Sequence, residues 1–161
     1  TGHGGFTLIR TSSELVFLYT DPRWPPDVLE ALQSNTLSMP AGEGIGAVVF
    51  ADAMAATLPG LRHITIFTDS SPVVAALQSG NSESPQLNAI VQWLFQRRPR
   101  LQLIALHQPG KRNGAADGLS RHATTSVVAD AVAAGARPER VDCIHAMSAL
   151  ARAAMLVPQR R

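Results

Sequence analysis

Two short β-type runs separated by helical segments constrain the fold of this chain more than any other feature. The runs are His63–Thr68 (HITIFT) and Leu101–Leu106 (LQLIAL), both rich in apolar and β-branched residues. Between them, Ser71-Pro72 and Ser84-Pro85 each place a helix-capping serine before a proline that suits the first helical position. Strands that alternate with helices in this way predict an α/β fold.

The N-terminal part adds a hairpin to this pattern. The runs GFTLIR (5–10) and LVFLYT (15–20) flank the turn-prone residues 11–13 and predict an antiparallel pair. A Pro-containing connection, Asp21–Pro40, follows, with one helical turn over Pro26–Gln33. Apolar residues recur every three or four positions over Glu43–Thr57 and predict a helix packed on the sheet. We therefore expect a mixed sheet flanked by helices.

The C-terminal part changes composition beyond His122, where alanine dominates and arginines are scattered. Asn113–Arg121 reads as the last helix before this change, and further helices are predicted near Ser126–Ala134 and Pro138–Leu156. We expect one domain over residues 1–122 and a helical C-terminal extension over residues 123–161.

Composition restricts the cellular location of the protein rather than its function. Cys143 is the only cysteine, which excludes an internal disulfide and a cysteine-rich zinc site and favours an intracellular location. No apolar run approaches the roughly 20 residues of a membrane span, so we expect no contact with a membrane. The net charge of +2 permits nucleic-acid binding without indicating it.

Three carboxylates fall at element ends that face the same rim of the predicted sheet: Glu43 at a helix start, Asp69 after a strand and Asp117 in the last core helix. Hard oxygen donors that converge in this way suit Mg²⁺ or Mn²⁺, which can activate water and stabilise the leaving oxygen of a phosphodiester. The alternative for Asp69 is an ordinary helix N-terminal residue that complements the helix dipole.

A fifteen-residue segment favours the metal-site interpretation of these carboxylates. His107–Arg121 reads HQPGKRNGAADGLSR and fits the pattern H-x-P-G-x-x-N-x-x-A-D-x-L-S-R. This segment closely resembles the ending of ribonuclease H domains in retroelement reverse transcriptases of the LTR or DIRS type. The resemblance extends from about residue 4 to residue 122 and leaves the tail after Ala123 uncovered. Further matching segments follow in the family's order: Gly4-Gly5-Phe6, Trp24-Pro25-Pro26, Glu43, Thr68-Asp69-Ser70, Ser84-Pro85-Gln86-Leu87 and Trp93.

The resemblance implies a ribonuclease H-like fold and a two-metal nuclease that cleaves the RNA strand of RNA/DNA hybrids. In that family's scheme Glu43, Asp69 and Asp117 hold Mg²⁺ or Mn²⁺, and His107 assists proton transfer or product release. Residues implied to contact RNA or the hybrid, or to order the loop that does so, are Ser70, Lys111, Arg112 and Asn113. Outside the motif, His107 would be a capped loop histidine and the basic pair a solvated turn.

The chain also departs from the family. The family's first aspartate lies on a strand before the glycine-rich hairpin, and Thr1 already lies past that position. We therefore expect a preceding segment or another chain to supply this strand and to complete the metal site. Gly44 stands where the family has a large apolar residue. These departures keep open a second function, that of a domesticated, non-catalytic module that binds RNA or protein in a larger assembly. An integrase or resolvase relative would share the carboxylates but not the His107–Arg121 segment.

Overall fold

Helices and strands alternate along most of the chain. A computed structural model describes residues 5–10, 13–20, 23–109, 112, 114, 118–119, 121 and 123–158. The strands are β1 (Phe6–Arg10), β2 (Leu15–Thr20), β3 (His63–Thr68), β4 (Gln102–His107) and β5 (Ala136–Val141). The helices are α1 (Pro26–Gln33), α2 (Met39–Thr57), α3 (Ser71–Ser79), α4 (Pro85–Arg97), α5 (Thr124–Ala133) and α6 (Ile144–Met155).

The described strands form two sheets. One is mixed, with the order β1-β2-β5: β1 and β2 are the predicted antiparallel hairpin, and β5 pairs with β2 in parallel. The other consists of β3 and β4 in parallel, with His63 opposite Gln102. The prediction of an α/β fold with mixed strand directions is confirmed. Within the described residues no strand pairing joins the two sheets, which meet through side chains around Met54 of α2.

Helix α2 lies at the centre of the core and begins earlier than predicted. Its residues Ile45, Val48 and Val49 are fully or almost fully buried among side chains of α3, α4 and α6. The Ser38 hydroxyl accepts a hydrogen bond from the Ala41 N–H at 3.4 Å, and this cap starts the helix at Met39 rather than at Glu43. Pro40 occupies the first turn, where its missing N–H has no intrahelical partner to lose, so this proline starts a helix rather than extending a loop.

Helices α3 and α4 begin at their serine-proline pairs. The Ser84 hydroxyl accepts the Leu87 N–H at 3.4 Å, as predicted for the cap of α4. For α3 the N-terminal flanking residue is Ser70, and Ser71 is already helical, so the predicted cap is wrong by one position. Gly80 ends α3 with φ +75°, in the left-handed region that glycine adopts without strain.

The predicted helix over Pro138–Leu156 is wrong in its first part. Residues Ala136–Val141 form β5, and helix α6 begins only at Ile144. Pro138 has no N–H to donate and so tolerates a place on β5, which is an edge strand of its sheet among the described residues. Pairing with β2, more than 100 positions away in the sequence, therefore makes residues 136–141 a strand.

An ion pair fixes the start of the contact between β2 and β5. The Arg137 guanidinium donates to both carboxylate oxygens of Glu14, at 2.9 and 3.2 Å, and this hydrogen bonding lowers the pKa of Glu14.

The predicted helix over Asn113–Arg121 lies largely outside the described residues. Among the described helices none has both the length and the apolar character needed to cross a membrane.

Candidate active site

The carboxyl ends of β3 and β4 place two of the predicted catalytic residues on one edge. Thr68 lies opposite His107 in the parallel register, and the Gln108 N–H donates to the Thr68 carbonyl oxygen at 2.9 Å. This bond continues the pairing past the strand ends, where Asp69 follows Thr68. Asp69 and His107 are both exposed. A carboxylate and an imidazole therefore face solvent at the same end of this sheet.

Ser70 carries an unsatisfied hydroxyl next to this edge. Ser70 is only 5% exposed, and among the described residues no hydrogen-bond partner contacts its buried Oγ. Ser70 immediately precedes α3, but its hydroxyl does not cap that helix. The Ser70 backbone N–H donates to Thr68 Oγ1 at 3.2 Å. A buried hydroxyl without a partner costs about 1–3 kcal/mol. A bound polar group or an ordered water molecule at this point would remove the penalty.

Gln108 holds the loop that follows His107. Its side-chain Nε2 donates to the Arg112 carbonyl oxygen at 2.7 Å, and the Arg112 N–H donates to the Pro109 carbonyl oxygen at 2.8 Å. These two bonds hold the Arg112 backbone beside Gln108 and Pro109, and the Arg112 side chain is exposed. Gln108 is not among the predicted site residues, because it occupies a variable position of the motif, although its place between His107 and Pro109 is a signal. Lys111 and Asn113 lie outside the described residues.

Glu43 is exposed on the second turn of α2. The next residue, Gly44, is buried where α2 crosses α4 and α3: a Cβ there would lie 2.7 Å from Leu87 Cδ1 and 3.9 Å from Val73 Cγ2. Glycine at this position therefore allows a close helix approach. The contact with Val73 places the turn that carries Glu43 beside the first turn of α3, which begins two residues after Asp69.

The predicted metal site includes a residue that the structure does not describe. Asp117 lies outside the described residues, so the predicted set of Glu43, Asp69 and Asp117 is not tested as a set. In the described part of the chain, no three His, Cys, Asp or Glu side chains come together as potential metal ligands. What the structure brings together is Asp69, Ser70 and His107, with the turn of Glu43 close to the same helix start.

Comparison with known proteins adds no relative. No protein-family model, no curated protein and no solved structure matches the chain.

Proposed function

We propose that this chain is a ribonuclease H-type nuclease domain of a retroelement reverse transcriptase, which hydrolyses the RNA strand of RNA/DNA hybrids. The observation that carries the proposal is the fifteen-residue segment His107–Arg121, whose fixed spacing of histidine, turn, asparagine and aspartate resembles that family. The shared edge of Asp69 and His107 supports it, since the chemistry needs both groups on one side of the sheet.

The donor set fits a hard divalent cation. In this proposal the carboxylates of Glu43, Asp69 and Asp117 hold Mg²⁺ or Mn²⁺, which prefer oxygen ligands. The metal ions supply an activated water and charge stabilisation at the leaving oxygen. His107 is exposed, and histidine is the side chain that most often moves a proton in catalysis, which suits a role at the edge of the site.

The remaining site residues bind the nucleic-acid backbone. In this proposal Arg112, Lys111 and Asn113 donate to phosphate or sugar oxygens, and so does the Ser70 hydroxyl, which has no hydrogen-bond partner among the described residues. Such contacts position a hybrid without reading its bases. The proposal therefore predicts cleavage that depends little on sequence.

A further strand completes the sheet in this proposal. The pair β3-β4 and the sheet β1-β2-β5 both rest on α2, and in the described part of the chain no ladder of hydrogen bonds connects them. A strand from a preceding segment or from another chain, carrying the family's first aspartate, would join them and add the fourth carboxylate. The preparation used for an activity test should therefore be the longest natural protein that contains this chain.

The test is cleavage of end-labelled RNA in an RNA/DNA hybrid, with Mg²⁺ or Mn²⁺ and with EDTA as the blank. We expect cleavage of the hybrid but not of duplex DNA, and a loss of at least about 100-fold in Asp69→Asn, because the metal loses a charged ligand. Asp130→Asn is the matched control, since Asp130 is exposed on α5 and lies outside the segment His107–Arg121. Hybrid cleavage that survives Asp69→Asn, or its absence from folded wild-type protein, contradicts the proposal.

One observation favours the non-catalytic alternative. The outer face of β3-β4 exposes three large apolar side chains, Phe67, Ile104 and Leu106, and Phe67 lies directly opposite Leu106. Exposed apolar side chains that cluster on a sheet face are typical of a protein-binding surface. Binding of RNA or protein without any metal-dependent cleavage would favour this alternative.

A further inference from the structure

Four arginines line an open cleft at the end of the molecule opposite the candidate active site. The cleft has a volume of about 200 Å³ and lies between the C-terminus of α4 and the loop before β3. We call it the arginine cleft and define it by Arg62, Arg97, Arg98 and Arg100. The other residues that line it are apolar or glycine and include Leu61 and Leu101.

The positive charge of the arginine cleft is only partly neutralised. Asp52 accepts from Arg98 Nε at 2.6 Å and from Arg97 Nη2 at 3.3 Å, so one carboxylate serves two guanidinium groups. No ion pair among the described residues involves Arg62 or Arg100. Four positive charges and one negative charge therefore leave an excess of three at the cleft.

Two of the guanidinium groups are held in place before any ligand arrives. The Arg97 guanidinium lies over the Trp93 ring, 4.8 Å from its centroid, and Arg98 Nη2 also donates to the Asp52 backbone carbonyl at 3.3 Å. Fixed guanidinium groups lose little conformational freedom when they bind an anion. The cleft is thus preorganised on one side. On the other side it carries Arg62, whose guanidinium donates to the Leu61 carbonyl oxygen at 3.3 Å, and Arg100; within the described residues neither has a carboxylate partner.

The arginine cleft is separate from the candidate active site. Gln102, the first residue of β4, donates its N–H to the Arg62 carbonyl oxygen at 2.7 Å, which places Arg62 at the amino ends of β3 and β4. Asp69 and His107 lie at the carboxyl ends of the same strands. Six-residue strands separate the two ends by roughly 17 Å.

We propose that the arginine cleft binds backbone phosphates of a nucleic acid, independently of hydrolysis at the opposite edge. Guanidinium groups present planar pairs of donors that match phosphate oxygens, and a phosphate can accept from several of them at once. A nucleic-acid strand also brings a new phosphate about every 3.4 Å along its axis. One phosphate can therefore occupy the cleft while its neighbours reach Arg62 or Arg100.

The test is the binding of a fluorescein-labelled 20-base-pair RNA/DNA hybrid, measured by anisotropy over a series of salt concentrations in EDTA. We expect the double variant Arg62→Gln/Arg100→Gln to bind at least tenfold more weakly at low salt. The slope of log K against log salt should fall by about two, since each lost phosphate contact removes about 0.9 from it. Arg137→Gln/Arg152→Gln is the control, because it removes the same charge from exposed arginines that already pair with carboxylates.

Three outcomes would overturn the proposal. The first is equal weakening in both double variants, which would show a general effect of net charge. The second is wild-type binding and slope in Arg62→Gln/Arg100→Gln. The third is a poly-glutamate peptide that binds more tightly than the hybrid and loses its binding in Arg62→Gln/Arg100→Gln, which would assign the cleft to an acidic peptide. Because the measurement excludes divalent metal and needs no cleavage, failure of the nuclease proposal leaves this result standing.

Discussion

The thiol of Cys143 lies between the C-terminus of β5 and the start of α6, and only 4% of the residue is exposed. Burial, and to a smaller extent the negative charges of Asp142 and Asp52, raise the pKa of this thiol to about 11. A thiol reacts as its thiolate, so at neutral pH the side chain behaves as a small apolar group and contributes packing rather than chemistry.

The raised pKa of Cys143 predicts how stability changes at high pH. The unfolded chain loses this proton near pH 9 and the folded chain near pH 11, so the unfolded state binds fewer protons between these values. The free energy of unfolding should therefore fall as pH rises through this window, by at most about 1.4 kcal/mol per pH unit. Cys143→Ala lacks this titration, so its stability deficit against the wild type should shrink from pH 8.5 to pH 10.5 in urea unfolding. A constant deficit would show that the thiol pKa is not raised.

Among the helices, α2 and α4 are joined by a polar contact as well as by apolar packing. Asp52 is buried on α2 and accepts from Arg97 at the last residue of α4 and from Arg98 immediately after it. These charged hydrogen bonds fix the end of α4 against α2 and so fix the entry into β4. The same contact shapes one wall of the arginine cleft.

Removal of the Asp52 charge should destabilise the protein. We expect Asp52→Asn to lower the free energy of unfolding by about 1–3 kcal/mol, because two charge-assisted hydrogen bonds weaken at a buried acceptor. Asp27→Asn is the comparison: Asp27 is more exposed than Asp52 and accepts from Arg152 Nη1 and from Ser148 Oγ, both at 2.8 Å, so its loss should cost less than that of Asp52. Urea unfolding of both variants measures the difference. Equal losses would mean that the buried contact of Asp52 adds nothing.

Elements with strong local signals were predictable from sequence, and elements decided by distant pairing were not. The β-type runs and the Ser84-Pro85 cap locate β3, β4 and α4 almost to the residue. By contrast, Pro138 suits the first turn of a helix, and only pairing with β2 makes this segment a strand. The start of α2 at Met39 does not follow from the sequence, because Pro40 suits both a loop and a first helical turn.

The two candidate sites also differ in how far local sequence signals locate them. The shared edge of Asp69 and His107 follows from parallel strands and could be predicted, because both residues end their strands. The arginine cleft could not, because Arg62 reaches the run Arg97–Arg100 only through the pairing of β3 with β4. The unsatisfied Ser70 hydroxyl depends on packing detail that no sequence pattern encodes.

At the scale of the whole molecule, the C-terminal segment is part of the central packing. Helix α6 contributes four buried side chains to the same apolar cluster as α2 and α4: Met147, Leu150, Ala151 and Ala154. Strand β5 extends the hairpin sheet in the same segment. The residues after position 123 therefore stabilise the helix layer on which both sheets rest.

This arrangement predicts that a core substitution in α6 destabilises the whole chain. Leu150 is 3% exposed, and Leu150→Ala should lower the free energy of unfolding by about 2–5 kcal/mol, because it removes buried methyl groups and leaves a cavity. Leu156→Ala is the control, since that side chain is 83% exposed and its loss should change stability by less than about 0.5 kcal/mol. Urea unfolding followed by tryptophan fluorescence, which reports Trp24 and Trp93, should show one transition that shifts to lower urea in Leu150→Ala only. If the fluorescence transition of Leu150→Ala keeps the wild-type midpoint while the far-ultraviolet circular dichroism splits into two steps, α6 unfolds separately and does not stabilise the layer around α2.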